Sequence, residues 1–566
     1  MTATLHPAIR TAEPEPAEYR AAVEALEERG RFGMRLGLTR IRALLRALGH
    51  PERGLRGALV AGTNGKGSVI ALCSAAIRAA GYRVGETPKP HLVSYRERLV
   101  VDGRPIAPEA FARLFADVAP VADRVARRYG PPTEFEFLTA MIFRWLAEAG
   151  IDVALVEVGI GGRLDATHAW DGGVAVVTNV DLDHTDRLGT TVTAIAREKA
   201  AIIMRGDRAV TGATGAALGV VRRRADRLGV PLSIVEPAPI LGWDRDGLDV
   251  ALPRLGPTRV GLRGRHQAAN AAVADAVLDA LEAAGIARVA AEARRVGFAA
   301  ARWPGRLELL EVVGRRGRLD VLLDGAHNPA GAAALALALD DLRPFLAGGR
   351  VGRRRGGGFA DGAGGLAAGA RGAVGRAGGF AGGSAATPTG PDHSTPVVLL
   401  TATMVDKDVD GLVAALARAT SLRGARVVTT TTGSERALPP AELADRWSRW
   451  LPDGIVRSVA DPLRALDVAL DLAEELDGPL VVAGSLYLVG LVRGALVGVP
   501  GEEAGSEPEL GRADGRGGSL DQRDVPPAGP VDGSMGAPVE GPVGTGAVGV
   551  RAIDAGIRSS RTGGSA

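Results

Sequence analysis

One short segment constrains the fold of this chain strongly: a glycine-rich turn between an apolar run at residues 57–60 and a helical pattern at residues 69–80. The turn consists of Gly62, Thr63, Asn64, Gly65, Lys66, Gly67 and Ser68. Glycines let backbone N–H groups surround phosphate oxygens, and a helix N-terminus adds a favourable field for anions. The segment therefore predicts a strand, a phosphate-binding loop and a helix, in an α/β fold that binds a nucleoside triphosphate such as ATP.

Two side chains of this glycine loop carry the expected chemistry. Lys66 is expected to reach the terminal phosphates, and Ser68 is expected to bind Mg²⁺. The loop is shorter than the common P-loop pattern, which would require glycine at position 60, where the chain has Val60. A glycine-rich turn alone would be weak evidence, but the strand, the Gly-Lys-Gly-Ser sequence and the helix together favour nucleotide binding over a purely structural turn.

Lysine and asparagine are rare in these 566 residues, and seven of the eight lie in short clusters rich in glycine, histidine and acidic residues. They are Lys66, Lys89, Lys199, Lys407, Asn64, Asn179, Asn270 and Asn328, and only Lys89 lies apart. Because arginine supplies the other positive charge, a retained lysine indicates a need for a compact, deprotonatable or modifiable amine. The ordinary interpretation of Lys199, a solvated helix lysine, is weaker for that reason.

Apolar runs of strand length alternate with helical patterns in two series. The first series lies at 153–158, 174–180 and 209–212, and the second at 307–312, 319–323, 397–400, 426–430 and 480–483. This alternation predicts an α/β protein with a P-loop ATPase domain built on a parallel sheet at 1–302 and a smaller Rossmann-like domain at 303–500. A Gly/Ala/Arg-rich insertion at 348–395 and a tail at 501–566 have no helical or strand period and are predicted to be disordered.

Composition narrows the functional class. The 68 basic and 65 acidic residues nearly cancel, so nucleic acid is not an expected partner. The N-terminal region has no apolar signal segment, and the most apolar stretch, at 480–500, is interpreted as a strand followed by a buried helix, so we expect a cytoplasmic protein without a membrane anchor. The single cysteine, Cys73, is expected to pack in the core.

Two further polar residues lie where strands of an open α/β sheet end. Glu157 closes the run at 153–156, and His184 follows the run that begins at 174. The carboxyl ends of neighbouring strands meet at one edge of such a sheet, so both residues could hold Mg²⁺ together with Ser68. Histidine is an uncommon Mg²⁺ ligand, and a hydrogen-bonded structural role for His184 is an equal alternative.

The motifs, taken in order, resemble a known family. They lie at 61–68, 157–167, 179–184, 196–200, 264–270, 302–306, 323–329, 404–408 and 484–490. Together they are similar to the folylpolyglutamate synthase/dihydrofolate synthase family of the Mur ligase superfamily, and the resemblance spans about residues 20 to 498 without the insertion.

The resemblance implies an enzyme that uses ATP and Mg²⁺ to join L-glutamate to a folate or dihydropteroate carboxylate through an acyl phosphate. It implies that Ser68 and Glu157 hold Mg²⁺, with His184 on a second ion. It also implies that Lys199 is carbamylated, and that His327 lies near the glutamate and phosphate. The expected catalytic residues are therefore Lys66, Lys199 and His327. The expected nucleotide contacts beyond the glycine loop are Asn270, Arg306 and Asp324. A monomer is expected, with small-molecule partners only.

Two departures from the family pattern bear on the acceptor substrate. The family's Thr-Ser-Pro-His-Leu is replaced here by Thr-Pro-Lys-Pro-His-Leu at 87–92, and His168 stands where the family usually has asparagine. The expected substrate contacts are Lys89, His91, Arg163 and Asp165. Replacing Lys89 with serine is predicted to alter folate affinity with little effect on ATP binding.

Three other functions differ from this one in what they would require. A peptidoglycan-type Mur ligase would need a UDP-binding domain, for which the 61 residues before Gly62 leave no room. A P-loop ATPase that spends ATP on motion would hydrolyse ATP without glutamate. A folate-binding homologue without ligase activity would release no ADP.

Overall fold

The structure is a computed structural model that describes residues 5–10, 15–33, 35–347, 395–434 and 436–499. Except for Thr395, the predicted insertion at 348–395 lies outside these ranges, as does the predicted tail at 501–566. The strands are β1 (Gly57–Ala61), β2 (Val84–Thr87), β3 (Val100–Val101), β4 (Arg104–Pro105), β5 (Val153–Glu157), β6 (Gly173–Val177), β7 (Arg208–Thr211), β8 (Leu232–Ile234), β9 (Ile240–Asp244), β10 (Gly247–Leu252), β11 (Gly256–Val260), β12 (Glu308–Val313), β13 (Arg318–Leu323), β14 (Val398–Thr401), β15 (Arg426–Thr429), β16 (Ile455–Ser458) and β17 (Leu480–Ala483). The α-helices are α1 (Ala17–Glu28), α2 (Thr39–Ala47), α3 (Lys66–Ala79), α4 (Pro108–Tyr129), α5 (Glu134–Ala149), α6 (Thr185–Leu188), α7 (Val192–Ala200), α8 (Gly215–Leu228), α9 (Gln267–Ala283), α10 (Ala291–Ala300), α11 (Pro329–Leu342), α12 (Val409–Leu416), α13 (Pro440–Trp450), α14 (Pro462–Leu476) and α15 (Leu486–Leu496).

The first sheet has eight strands in the order β4-β3-β2-β5-β1-β6-β7-β8. Strands β2, β5, β1, β6, β7 and β8 are parallel, and the short strands β3 and β4 add an antiparallel edge. Strands β1 and β5 are buried along their whole length because helices cover both faces, which explains their continuous apolar sequences. One face packs on helices α1, α2, α4 and α5, and the other on α3, α9 and α10.

Strand β1 lies in the middle of this sheet, between β5 and β6. The chain therefore places the ends of β1, β5 and β6 side by side, and α3 begins directly after the turn that follows β1. In open α/β sheets, ligands bind outside the carboxyl ends of the strands where the strand order reverses. This edge is consequently where the sequence-predicted site residues of the first sheet meet.

The second sheet is small and consists of β9, β10 and β11. The third sheet has six strands in the order β12-β13-β17-β14-β15-β16, with β12 antiparallel and the other five parallel. Helices α11, α12 and α13 cover one face, and α14 and α15 cover the other. The predicted α/β class is thus confirmed, as is the strand and buried helix predicted at 480–500, which form β17 and α15. No helix in the described part of the chain is long and apolar enough to cross a membrane.

Some predicted details were wrong. The strand predicted at 174–180 ends at Val177, because residues 178–181 leave the sheet to contact the glycine loop. Helix α3 begins at Lys66 rather than at Val69, since Gly65 caps it in a left-handed conformation. The small antiparallel sheet of β9, β10 and β11 was not anticipated, because its short strands have no long apolar run.

Candidate active site

The glycine loop is held by the segment that follows β6. The backbone N–H of Asn64 donates to the side-chain oxygen of Asn179 at 2.8 Å, and the Thr178 hydroxyl donates to the carbonyl of Asn64 at 2.7 Å. The Thr63 hydroxyl donates to the carbonyl of Asp181 at 3.2 Å and accepts from its N–H at 3.0 Å. The loop is therefore fixed by a neighbouring strand end, which is how a phosphate cradle is kept in shape before its ligand arrives.

Two glycines of the loop are required by close neighbours. Gly65 has φ 81°, and a Cβ there would lie 2.3 Å from Oδ1 of Asn270 on α9. A Cβ at Gly67 would lie 2.4 Å from the indole ring of Trp303. The loop is thus covered by Asn270, one of the predicted site residues, and by Trp303, which was not among them.

Lys66 and Glu157 face each other across the ends of β1 and β5. The Lys66 ammonium donates to the carbonyls of Gly62 and Thr63 at 3.2 and 3.3 Å, and it lies 3.8 Å from Oε1 of Glu157. Burial raises the pKa of Glu157, while the Lys66 and Lys89 ammonium groups act to lower it. The Lys66 amine, which would bind phosphate, is therefore held by carbonyls of its own loop and lies next to the buried Glu157 carboxylate.

Lys199 also reaches the glycine loop. It lies near the end of α7, is 5% exposed, and its ammonium donates to the carbonyl of Gly62 at 2.9 Å. Burial, reinforced by the positive charge of Lys66, lowers the pKa of Lys199 to about 7. An ordinary lysine has a pKa near 10.4, so Lys199 is far more often neutral at physiological pH than a solvated lysine. The hypothesis that Lys199 is a solvated helix lysine is therefore wrong.

Lys89 belongs to the same cluster although it is isolated in the sequence. Its backbone N–H donates to Oε2 of Glu157 at 3.0 Å, and its ammonium donates to the main-chain carbonyl of Glu157. The ammonium also lies 5.0 Å from the centre of the Phe135 ring. Burial lowers the pKa of Lys89 to about 8, against the raising effect of Asp165 and Glu157. The direct contacts of Lys89 are therefore with Glu157 and an aromatic ring.

The expected Mg²⁺ donors differ in exposure. Ser68 and Glu157 are buried at the start of α3 and the end of β5, at 7% and 3% exposure. The side chain of His184 is 36% exposed, and its Nε2 lies 3.8 Å from Oδ2 of Asp183. A hydroxyl and a buried carboxylate are the oxygen ligands that Mg²⁺ prefers, so Ser68 and Glu157 fit the ion better than His184 does.

Arg306, Asp324 and His327 form a second cluster at the start of β12 and the end of β13. The Asp324 carboxylate accepts from the backbone N–H groups of Leu307 and Ala326, both at 2.9 Å. Burial raises the pKa of Asp324, and the Arg306 charge opposes that shift. A Cβ at Gly325 would lie 2.1 Å from Nη1 of Arg306, so the glycine leaves the space that the guanidinium fills.

The His327 ring has a defined hydrogen-bond direction. Its Nδ1 lies 2.8 Å from the carbonyl of Gly325, and because a carbonyl only accepts, Nδ1 carries the proton. In the neutral ring Nε2 therefore keeps a lone pair. Burial lowers the pKa of His327, with smaller lowering contributions from Arg306 and Lys407, while the hydrogen bond to Gly325 and, to a lesser extent, Asp183 act to raise it. His327 is thus favoured as a neutral proton acceptor.

Like Lys89, the other three predicted substrate residues have partners within the protein. His91 accepts through Nδ1 from the Arg98 guanidinium at 2.9 Å, and burial lowers its pKa to about 3. Asp165 accepts from the N–H groups of Gly159 and Ile160 at 3.1 and 3.0 Å, so it shapes its own loop. Arg163 is half exposed and pairs with Glu198 at 2.9 Å.

One more group of metal-ligating side chains, His6, Asp471 and Glu474, has its ligand atoms within 4.8 Å of one another. Nδ1 of His6 accepts from the N–H of Ala8 at 3.2 Å, so Nε2 carries the proton. Nε2 lies 3.5 Å from Glu474 and is not available as a lone-pair donor to a metal. This cluster ties the N-terminal segment to α14 rather than forming a metal centre.

Comparisons with known proteins identify relatives of the chain. No model of a known protein family matches the chain. It is 37% identical over 329 residues to the dihydrofolate synthase/folylpolyglutamate synthase of Bacillus subtilis, covering 56% of this chain and 75% of that protein. It is 34% identical over 478 residues to the protein of the same name from Mycobacterium tuberculosis, covering 80% and 85%. The structure of Mycobacterium tuberculosis folylpolyglutamate synthase complexed with ADP and AMPPCP superposes with a TM-score of 0.68 at 30% identity, covering 86% of this chain and 100% of that one.

Proposed function

The chain belongs to the dihydrofolate synthase/folylpolyglutamate synthase family, and we propose that it extends reduced folates with L-glutamate and also glutamylates dihydropteroate. It is an ATP-dependent ligase that joins glutamate to folate-type substrates. We assign the reaction to a route through an acyl phosphate. The observation that carries the assignment of its site is the convergence of Lys66, Lys199 and Glu157 on the glycine loop at the end of β1.

The first step transfers the terminal phosphate of ATP. An oxygen of the acceptor carboxylate attacks the γ-phosphorus, the bond to the bridging oxygen breaks, and ADP leaves. Phosphoryl transfer of this kind depends on positioning and on neutralising charge. We assign positioning to the loop's N–H groups and α3, and charge neutralisation to Lys66, whose ammonium now bonds to carbonyls of Gly62 and Thr63 and can turn to the phosphates.

Ser68 and Glu157 would hold Mg²⁺ in this site, and His184 is assigned to a second ion. When bound, Mg²⁺ supplies positive charge that offsets the negative charge of the triphosphate. Before the nucleotide and Mg²⁺ bind, the Lys66 ammonium lies 3.8 Å from Oε1 of Glu157 and balances the charge of that carboxylate. The turning of Lys66 toward the phosphates would therefore free the carboxylate for the ion.

Lys199 is assigned as the carbamylated lysine. A carbamate forms when a neutral amine attacks CO₂ and releases a proton, and burial gives Lys199 the low pKa that keeps much of it neutral. The product would be a carboxylate beside the loop carbonyl that the ammonium contacts now. The change of Lys199 from a positive ammonium to a negative carbamate would help to organise the metal ions near Ser68.

The second step forms the amide. The amine of L-glutamate attacks the acyl phosphate carbon, the tetrahedral intermediate collapses, and inorganic phosphate leaves. The attacking ammonium must first lose a proton, and Nε2 of His327 is the assigned acceptor because Nδ1 is committed to Gly325. Asn270, Arg306 and Asp324 are assigned to the nucleotide side of the site, with Asp324 fixed by two backbone N–H groups.

The proposal that the enzyme uses both acceptors rests on the name of both relatives, dihydrofolate synthase/folylpolyglutamate synthase, which states two activities. It is tested by mass spectrometry of the products after incubation with ATP, Mg²⁺ and L-glutamate and either dihydropteroate or tetrahydrofolate. The proposal expects a mass increase of one glutamate on each acceptor. A product from only one of the two would restrict the enzyme to a dihydrofolate synthase or a folylpolyglutamate synthase.

Four broader assignments complete the proposal. We assign residues 1–302 to an ATP-binding domain and 303–500 to a glutamate-ligase domain, a division supported by the third sheet, which begins at Glu308. The protein is proposed to act as a monomer in the cytoplasm. It is also proposed to act without nucleic acid, which the near balance of 68 basic and 65 acidic residues supports. Light scattering on the purified protein measures the oligomeric state directly.

A further inference from the structure

Lys89 brings an additional positive charge to Glu157, the carboxylate assigned to Mg²⁺. It stands in the segment 87–92, one of the two places where the sequence departs from the family pattern. Glu157 is 3% exposed, and Lys66 lies 3.8 Å from its Oε1. The buried carboxylate therefore has one ammonium group 3.8 Å away and a second bonded to the main-chain carbonyl of the same residue, with little water to screen either charge.

The two lysines are held in different ways. Lys66 bonds to carbonyls of its own loop, at 3.2 and 3.3 Å, and phosphate oxygens would be stronger partners for it. Lys89 is bound at three points: its N–H to Oε2 of Glu157 at 3.0 Å, its ammonium to the Glu157 carbonyl, and the same ammonium to the Phe135 ring at 5.0 Å. Nucleotide would thus draw Lys66 away and leave Lys89 in place.

We propose that Lys89 is a positioning residue that acts as a fixed counter-ion of Glu157 and weakens the binding of a divalent cation to the nucleotide-free site. The inference rests on the proposed metal role of Glu157. The backbone N–H of Lys89 holds the carboxylate in position, and the ammonium repels a cation that approaches it. Triphosphate brings negative charge that outweighs this repulsion, so the ion enters with the nucleotide rather than before it.

The size of the effect follows from Coulomb's law. A divalent ion and a unit charge about 6 Å apart repel enough to weaken binding about tenfold, even at the dielectric constant of bulk water. The buried site is screened less than bulk water, so tenfold is a lower bound. A side chain of similar shape without the charge, methionine, keeps the backbone N–H and removes only the repulsion.

The test titrates Mn²⁺ into the nucleotide-free full-length protein at pH 7.0 and follows the free-ion signal by electron paramagnetic resonance. Lys89→Met is expected to bind Mn²⁺ at least about tenfold more tightly than the wild type. Lys89→Ser is expected to bind more tightly as well, and Lys89→Arg, which keeps the charge, is expected to match the wild type. Equal affinity in the wild type and Lys89→Met, or weaker binding in Lys89→Met, would overturn the proposal.

Two controls keep the inference separate from the assignment of the site. Glu157→Gln in the Lys89→Met background is expected to abolish the tight Mn²⁺ binding. If that double variant still binds as tightly, the metal role of Glu157 fails, and with it the proposal. ADP affinity measured by calorimetry on each variant shows that the glycine loop is intact, so that a change in Mn²⁺ affinity reports charge rather than unfolding.

Discussion

Replacing Gly65 with alanine tests the fit between the glycine loop and α9. Gly65 has φ 81°, a left-handed conformation that costs an alanine about 1 kcal/mol. A Cβ at that position would lie 2.3 Å from Oδ1 of Asn270, whose amide donates to Gln267 at 2.8 Å. Asn270 must therefore move, and the loss of one buried hydrogen bond adds about 1 to 1.5 kcal/mol.

Gly81, at the other end of α3, is a matched control. It has φ 86°, and no described atom lies within 4 Å of a Cβ built there. Gly81→Ala therefore carries the same backbone cost and the same change in unfolded-chain entropy, without the collision. We expect Gly65→Ala to lower the free energy of unfolding by about 1 to 1.5 kcal/mol more than Gly81→Ala, measured by urea unfolding.

The same pair of variants reports on function. Asn270 is displaced only in Gly65→Ala, so the ATP dissociation constant measured by calorimetry is expected to rise about tenfold in that variant and to stay unchanged in Gly81→Ala; a factor of ten corresponds to about 1.4 kcal/mol. If both variants unfold at the same urea concentration and bind ATP equally well, the contact between Gly65 and Asn270 does not shape the site, and the reasoning is refuted.

Three other outcomes follow from the contacts of the site. Lys66→Ala is expected to abolish ADP formation in a steady-state assay, because the loop loses its charge toward the phosphates; a normal rate would contradict the phosphate-cradle assignment. Lys199 has a pKa of about 7, so its neutral fraction rises as pH rises, and reactivation of CO₂-depleted enzyme at equal dissolved CO₂ should be about tenfold faster at pH 8 than at pH 6; equal rates would argue against carbamylation of this amine. Trp303 packs against Gly67, so ATP should change its fluorescence, and Trp303→Phe should lose that change; an unaltered ATP response in the variant would place the reporter elsewhere.

The glycine loop and the strand ends could be predicted from sequence because their signals are local. An apolar run before Gly62 and a helical pattern after Ser68 define the strand, turn and helix without any distant contact. Glu157 follows the same logic, since it ends an apolar run and parallel strands bring their ends together. Lys199 was singled out by its rarity, and the structure places its ammonium 2.9 Å from the carbonyl of Gly62.

Two of the contacts that sequence reasoning missed are long-range. Lys89 bonds to Glu157, 68 residues away, and Trp303, which follows α9 and α10 in the chain, packs on Gly67. Neither contact leaves a periodic pattern in the sequence. Asp165 matched a family motif, yet its oxygens bond to the N–H groups of Gly159 and Ile160, a distinction that residue type alone does not reveal.

The acyl phosphate is the central claim about the chemistry, and oxygen labelling tests it most directly. The acceptor is prepared with ¹⁸O in the carboxylate that receives glutamate and is incubated with enzyme, ATP, Mg²⁺ and L-glutamate in unlabelled water. The account predicts that each inorganic phosphate released carries one ¹⁸O, since the carboxylate oxygen that attacks ATP leaves with the phosphate. Phosphate without ¹⁸O would contradict it, because the phosphoryl group would then have passed to water and not to the acceptor.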